Sequence, residues 1–419
     1  MAVNVSDVTL SRVKIKFTSS PLSDVRAAVA QEMSQFKPII KQNMRIAVGV
    51  GSRGIENIAL IVKEVIDSFI AYGGQPFIIP AMGSHGGATG EGQALMLQEY
   101  GITQETMGVP VLSSMKVKNL GTLPDNPNVS LYMDQHAYDA DAVFIINRVK
   151  PHTDFHGTNE SGIAKMLVIG LGKHAQAIAV HEHLTDGLRD LIPRVCQAIV
   201  DTGKIIGALA VVEDGYDKTS LVKAVPAQDI LKTDTELLLL AKKMMPALPF
   251  ERLDLLLVDY LGKNISGTGM DTNIIGRVSI FGEKDTSPYI NGICLFDITP
   301  QSHGNALGIG LADLIPQKLY NKIDWQSTYE NVITSRFLKR GFVPVVCPTD
   351  RDVVVTGLKT CGFRTTDTLR LARIKDTLHI DEILVTDALL TELADNRGIE
   401  VLERNLPLIF NSEGELEKL

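Results

Sequence analysis

Cysteine is scarce and dispersed in this chain: Cys196, Cys294, Cys347 and Cys361 are the only four, and none forms a CxxC pair. That spacing excludes a zinc knuckle or a disulfide scaffold and suits a reducing compartment. Aromatics make up 5% of the residues, with one tryptophan, Trp325, too few for the stacking platforms that grip single-stranded nucleic acid. No basic run occurs, and 41 Lys plus Arg against 49 Asp plus Glu leave a net charge of −8. Phosphate neutralisation needs clustered cations, so no nucleic-acid partner is expected. The longest apolar stretches, such as Leu253–Val258 and Val143–Ile146, fall far short of a bilayer span. The opening MAVNVSDVTLSRVKIKF lacks a signal core. We expect a soluble, cytoplasmic protein with no membrane partner.

What is present is an ordinary globular balance of 45% hydrophobic and 21% charged residues over 419 positions, enough for two or three domains. Apolar, β-branched runs at 44–50, 76–82, 109–114, 141–149, 207–215 and 253–262 read as strands. Helical spacing fills 55–72 and 89–100 between them. This alternation predicts an α/β fold of two domains with mainly parallel sheets and an active-site cleft between them. MPALPF at 245–250 marks the break, giving 1–248 and 249–419, with strands at 290–298, 342–347 and 382–387 in the second. The tail 389–419 is free to pack back on either domain.

In open parallel sheets, ligands bind beyond the carboxyl ends of the strands. Three successive predicted strands deliver polar groups there: Gly51-Ser52-Arg53-Gly54, Gly83-Ser84-His85-Gly86-Gly87, and Lys150-Pro151-His152-Thr153-Asp154-Phe155-His156-Gly157. Three such turns in series suggest one crevice that binds an anion and moves protons. Residues 49–54 match G-x-G-x-x-G, but the acidic residue expected after the next strand is replaced by His85, which argues against a conventional dinucleotide site. A helix beginning at about Gly54 would still suit a phosphate or carboxylate, with Arg53 as a fork. As a surface residue, Arg53 would instead pair with a carboxylate.

Lys165 opens the apolar run MLVIGLG. It is either a lysine that snorkels to water or a nucleophile with a depressed pKa. His174, His181 and His183 follow within ten residues. One imidazole without a Cys or carboxylate cluster points to a metal held mainly by something else. In the second domain, 261–277 holds Lys263, Asp271 and Asn273 in a Gly-rich stretch after a strand, the composition of a binding loop. Thr299, His303 and Asn305 follow the next strand in the same way.

The ordered series Ser52-Arg53, Gly83-Ser84-His85, Pro151-His152, Ser161-Gly162-x-x-Lys165 and His181 resembles the lactate racemase family, whose members use a nickel-pincer nucleotide. The resemblance covers most of the first domain. It implies an isomerase that inverts C2 of a small-molecule 2-hydroxy acid, a sugar acid being one candidate. His85 and His152 would be the two acid/bases, Arg53 the substrate carboxylate clamp and His181 the nickel ligand. Ser52 and Lys165 would be cofactor contacts, Lys165 through a covalent tether. The family's second-domain substrate lysine is assigned to Lys263, with Asp271 and Asn273 beside it, by loop character. The chain departs from the family pattern where Ser161-Gly162-Ile163 replaces Ser-Gly-Gly. The histidine-to-lysine segment is about three residues longer, so His156 competes with His152. A metal-free lysine-dependent lyase or isomerase, and a binding protein for an organic acid or the cofactor, are the alternatives. Oligomeric state is left open.

Overall fold

The structure is a computed structural model that describes residues 3–51 and 54–419. Two compact units divide it: Thr18–Met245, and the segment up to Phe17 joined with Pro246–Leu419. The strands are β1 (Thr9–Ile15), β2 (Arg45–Val50), β3 (Gln75–Pro80), β4 (Val117–Leu123), β5 (Asn126–Asp134), β6 (Ala142–Arg148), β7 (Ile205–Glu213) and β8 (Thr219–Pro226). They continue as β9 (Arg252–Leu261), β10 (Tyr289–Ile298), β11 (Leu314–Pro316), β12 (Val345–Cys347), β13 (Leu371–Ile374), β14 (Glu382–Val385) and β15 (Ile399–Pro407).

In the unit Thr18–Met245 the main sheet runs β3-β2-β6-β7-β8. Its first four strands are parallel and β8 is antiparallel. The continuous apolar runs follow from this arrangement, because a parallel sheet is covered on both faces. Alternation along β2 and β6 sends Ile46, Val48, Phe144 and Ile146 to one face and Ala47, Val143 and Ile145 to the other. Helices Val25–Met33 and Ile58–Ala71 cover the first face. Helices Ile192–Val200 and Ile230–Met244 pack into the core of the second.

In the other unit the sheet runs β12-β11-β10-β9-β13-β14-β1-β15. Its parallel part spans β12 to β13, and β14, β1 and β15 pair antiparallel. The expected division therefore needs a correction at the amino end. The break falls at Met245/Pro246, but β1 supplies the strand between β14 and β15, so the first seventeen residues belong with the carboxyl-terminal sheet. Residues 399–407 of the tail pair with β1.

Three further expectations differ. Residues 109–114 form only an isolated bridge, Ile78 with Val111, since Pro110 offers its carbonyl to Ile78 but has no N–H to extend a ladder. The strand expected at 342–347 begins at Val345. The helix after β2 starts at Ile58 behind Asn57 in a left-handed cap, so no helix N-terminus stands at Gly54. Among the described residues, no single helix is long and apolar enough to cross a membrane.

Phe144 sits edge-on between Phe36 and Phe69, with ring centroids 5.1 and 5.2 Å away. Phe144→Ala should cost about 3–5 kcal/mol, read as a lower urea midpoint with an unchanged slope.

Candidate active site

β3, β2 and β6 are adjacent and parallel, so the segments that leave them emerge at one edge of the sheet. Ser52 and Arg53 lie outside the described residues. Gly51, just before them, abuts the side chain of Met166. After β3, the turn carrying His85 leaves the imidazole exposed. Gly83 within it has φ +60°, and its N–H donates to the Gly170 carbonyl at 3.2 Å. A Cβ there would lie 3.1–3.2 Å from Ile169, so the close approach requires glycine.

After β6, Lys150 and Ser161 exchange two backbone hydrogen bonds and close the stretch between them into a loop. His152 rests against Phe155, ring centroids 4.7 Å apart. Its Nδ1 accepts the Asp154 backbone N–H at 3.0 Å, and its Nε2 meets the Nζ of Lys165. The next turn thus brings His152 and Lys165 together. His156 points instead toward Glu160, 3.6 Å away.

Glu160 is fully buried and organises this loop. It accepts the N–H groups of His152 at 2.8 Å and Gly157 at 3.2 Å, and the Lys242 ammonium at 2.6 Å. Burial alone would raise its pKa. Hydrogen bonds from His156, Lys242 and the His152 N–H outweigh that and hold the carboxyl below its ordinary value.

Asp234, also buried, caps the turn that carries Lys165. It accepts the Ile163 N–H at 2.6 Å and the Asn159 amide at 3.1 Å. A Cβ on Gly162 would fall 2.0 Å from Asp234 Oδ1, so that glycine is demanded by the cap. Asn147, at the end of β6, donates to the Gly162 carbonyl at 2.8 Å. Lys165 itself is half-buried and is followed by the π-helical turn Met166–Gly170, a kind of turn frequent at functional sites.

Lys173 begins the helix Lys173–His181 with φ +57°, where the chain bends by 106°. Its buried ammonium donates to the Pro80 carbonyl and to Gln93 Oε1 at 3.0 Å, and pairs with Asp134 at 3.2 Å. Burial depresses its pKa and Asp134 partly restores it. Gln93 in turn donates to the carbonyls of Gly83 and His85, at 2.9 and 3.2 Å. A single buried lysine thus ties the end of β3 and, through Gln93, the His85 turn to the Lys165 segment. His181 is the half-buried last residue of the same helix.

Lys263, Asp271 and Asn273 belong to the other unit. Lys263 Nζ donates to the Gly267 carbonyl at 3.0 Å, and its N–H to Ser302. The Asp271 carboxylate caps the short helix Thr272–Ile275, taking the Asn273 N–H at 2.9 Å and the Asn273 amide at 3.0 Å. A turn-forming Asp-x-Asn is a local structural motif. Among the described residues, no group of three or more His, Cys, Asp or Glu could hold a metal ion.

The positioning residues Glu160, Asp234, Lys242, Gln93 and Lys173 were not assigned from sequence. The one legible signal was Asp234, an acidic residue on the buried stripe of Ile230, Thr233, Leu237, Leu238 and Ala241.

No protein-family model matches the chain, and no curated protein matches it. Among solved structures, it is similar to the lactate racemase apoprotein from Thermoanaerobacterium thermosaccharolyticum. The TM-score is 0.47 and the identity 12%, over 93% of this chain and 97% of that one. A likeness of this size transfers no residue and no chemistry, and the site stands on its own geometry.

Burial raises the Asp234 pKa to about 6 despite the hydrogen bonds it accepts. A carboxyl raised on folding stabilises the fold below its unfolded pKa and loses that contribution as pH climbs through the folded value. The difference in unfolding free energy between the parent and Asp234→Asn should therefore shrink by on the order of 3 kcal/mol between about pH 4 and 7. Urea titrations at several pH values measure it; a constant difference would show that Asp234 does not carry the proton.

Proposed function

We propose that the chain is a racemase or epimerase that inverts C2 of a 2-hydroxy acid, using His85 and His152 as acid/bases and a bound nickel-pincer nucleotide. The observation that carries this reading is the packing of the His85 turn and the His152–Lys165 pair around one π-helical turn at the carboxyl edge of a parallel sheet. The ordered motif series that resembles the lactate racemase family supplies the reaction class.

The donor set fits such a cofactor. A half-buried imidazole, His181, suits a metal whose other ligands come from its own chelator. Lys165 presents an amine for a covalent tether. Ser52 and Arg53 enter by their place in the motif series, Arg53 as the carboxylate clamp. When bound, the nucleotide supplies reversible acceptance of the C2 hydrogen with its electron pair.

The chain's own residues then have defined tasks. One histidine takes the hydroxyl proton as C2 becomes planar. The other returns a proton to the oxygen when the opposite face is reduced. Two bases are needed because inversion reverses the face from which the hydrogen returns. His152 is favoured over His156, because His152 faces Lys165 while His156 faces Glu160. His85 is exposed and so can reach a substrate. A cytoplasmic setting is part of the proposal, and the four buried, unpaired cysteines agree with it.

The test is co-expression with the cofactor-making enzymes, followed by metal analysis and a 2-hydroxy-acid and sugar-acid screen in D2O. We expect about one nickel per chain, and inverted product that keeps its C2 hydrogen. Solvent deuterium at C2, or full activity without nickel, would favour the metal-free lysine enzyme instead. His85→Asn and His152→Asn should each lower turnover by roughly 10²–10⁴-fold, and His181→Ala should lose the nickel.

A further inference from the structure

We propose that an apolar face of the unit holding Pro246–Leu419 is a self-association surface, on which a second copy of this chain docks about a two-fold axis to form a dimer. The proposal is independent of the reaction argued above.

Two successive segments build the face: the helix Trp325–Ser335, and the turn Leu338–Gly341 with the residues that lead into β12. Tyr329, Ile333, Leu338, Phe342, Val343 and Val345 are all exposed there. Ile333, Leu338 and Phe342 leave 66%, 60% and 61% of their surface in water. Single exposed apolar residues are ordinary, but six large ones between positions 329 and 345 form a patch of the kind that marks an interaction site. A groove of about 560 Å3 lies between helix and turn. All but Val345 of these six line it, with buried Val332 and Gly341, and no charged side chain does.

The face is rigid. A Cβ on Gly341 would fall 2.7 Å from the Val332 side chain, so turn and helix are in close contact. The buried Arg340 guanidinium donates to the Val278 carbonyl at 3.1 Å and lies over the Phe337 ring. The Arg340 carbonyl accepts the Gly308 N–H at 3.1 Å. A surface already ordered has little conformational freedom to lose on docking.

Three arguments select a second copy as the occupant. The first is area: the six side chains leave roughly 600 Å2 in water, most of the ~800 Å2 that each partner gives to a standard interface. The second is shape. A two-fold interface must fit itself, and this face carries both an apolar groove and the exposed Leu338 and Phe342 that can enter its copy. The third is charge. Glu330 borders the face on the helix, and Arg336 and Lys339 border it beyond the helix end; all three are exposed, and none has an ion-pair partner among the described residues. A two-fold axis sets the acidic border of one copy against the basic border of the other. β12 is the edge of its sheet, but Pro344 and Pro348 flank its three residues, and proline donates no ladder hydrogen bond. Docking therefore runs through side chains, and the assembly closes at two copies instead of growing strand by strand.

Sedimentation equilibrium of the full chain from about 1 to 100 µM tests this. The parent should approach twice the 45.6 kDa of one chain at the top of that range. Phe342→Glu and Ile333→Glu each put a charge in the groove and should weaken association at least about tenfold, with an unchanged far-UV circular dichroism spectrum. Leu239→Glu alters a leucine 58% exposed on another helix and should leave association as in the parent. A parent that stays monomeric throughout overturns the proposal, and so does a mass that climbs past two copies. A dimer that both face variants leave intact overturns it as well. Should either face variant fail to fold, Leu338→Glu reports on the same groove.

Discussion

Glu160 is buried with its carboxylate charged, and the desolvation cost is offset only because each oxygen is used. One takes the His152 N–H, and the other takes the Gly157 N–H and the Lys242 ammonium. Removing one partner of such a cluster leaves an uncompensated charge, which costs far more than the pair contributes. The loop carrying His152 therefore has one geometry while the helix Ile230–Met244 is in place. That helix also supplies Asp234, so a single element fixes both the histidine loop and the lysine turn. The His152–Lys165 contact depends on this double attachment.

The second constraint comes from the sheet. Parallel strands deliver their following segments to one edge, but only within the reach of each loop. The π-helical turn Met166–Gly170 fills the space between them, with Met166 against Gly51 and Ile169 against Gly83. Lys173 completes the arrangement from beneath, through Pro80 and Gln93. An ammonium buried there does the work of a crosslink between β3 and the turn after β6. It is fully buried, and that burial depresses its pKa.

The longer strands of the parallel sheets were legible as apolar runs, as full burial on both faces demands, whereas β11 and β13, of three and four residues, were too short to show. The hairpin of β4 and β5 was not, since β4 is largely exposed and carries no such run. Nor could periodicity show that β1 leaves its neighbours in sequence to pair with β14 and β15. In the candidate site, the polar residues at the strand ends were visible. The groups that hold them were not. Asp234 lies 71 residues from Ile163 and Lys242 lies 82 from Glu160, and no local pattern reports a contact at that range. Asp271 shows the converse limit: a short-range cap has the same composition as a binding loop.

Gly162 and Ile163 meet Asp234 in different ways. At Gly162 the absence of a side chain is required, because Asp234 occupies the position a Cβ would take. At Ile163 it is the N–H that matters, donated to Asp234, while the side chain is fully buried in the core. A second glycine there would make the same hydrogen bond but leave the turn less constrained, since glycine loses the most freedom on folding. Isoleucine restricts the backbone and adds apolar contact without touching the cap. Isoleucine at 163 therefore stiffens the turn that aims Lys165 at His152.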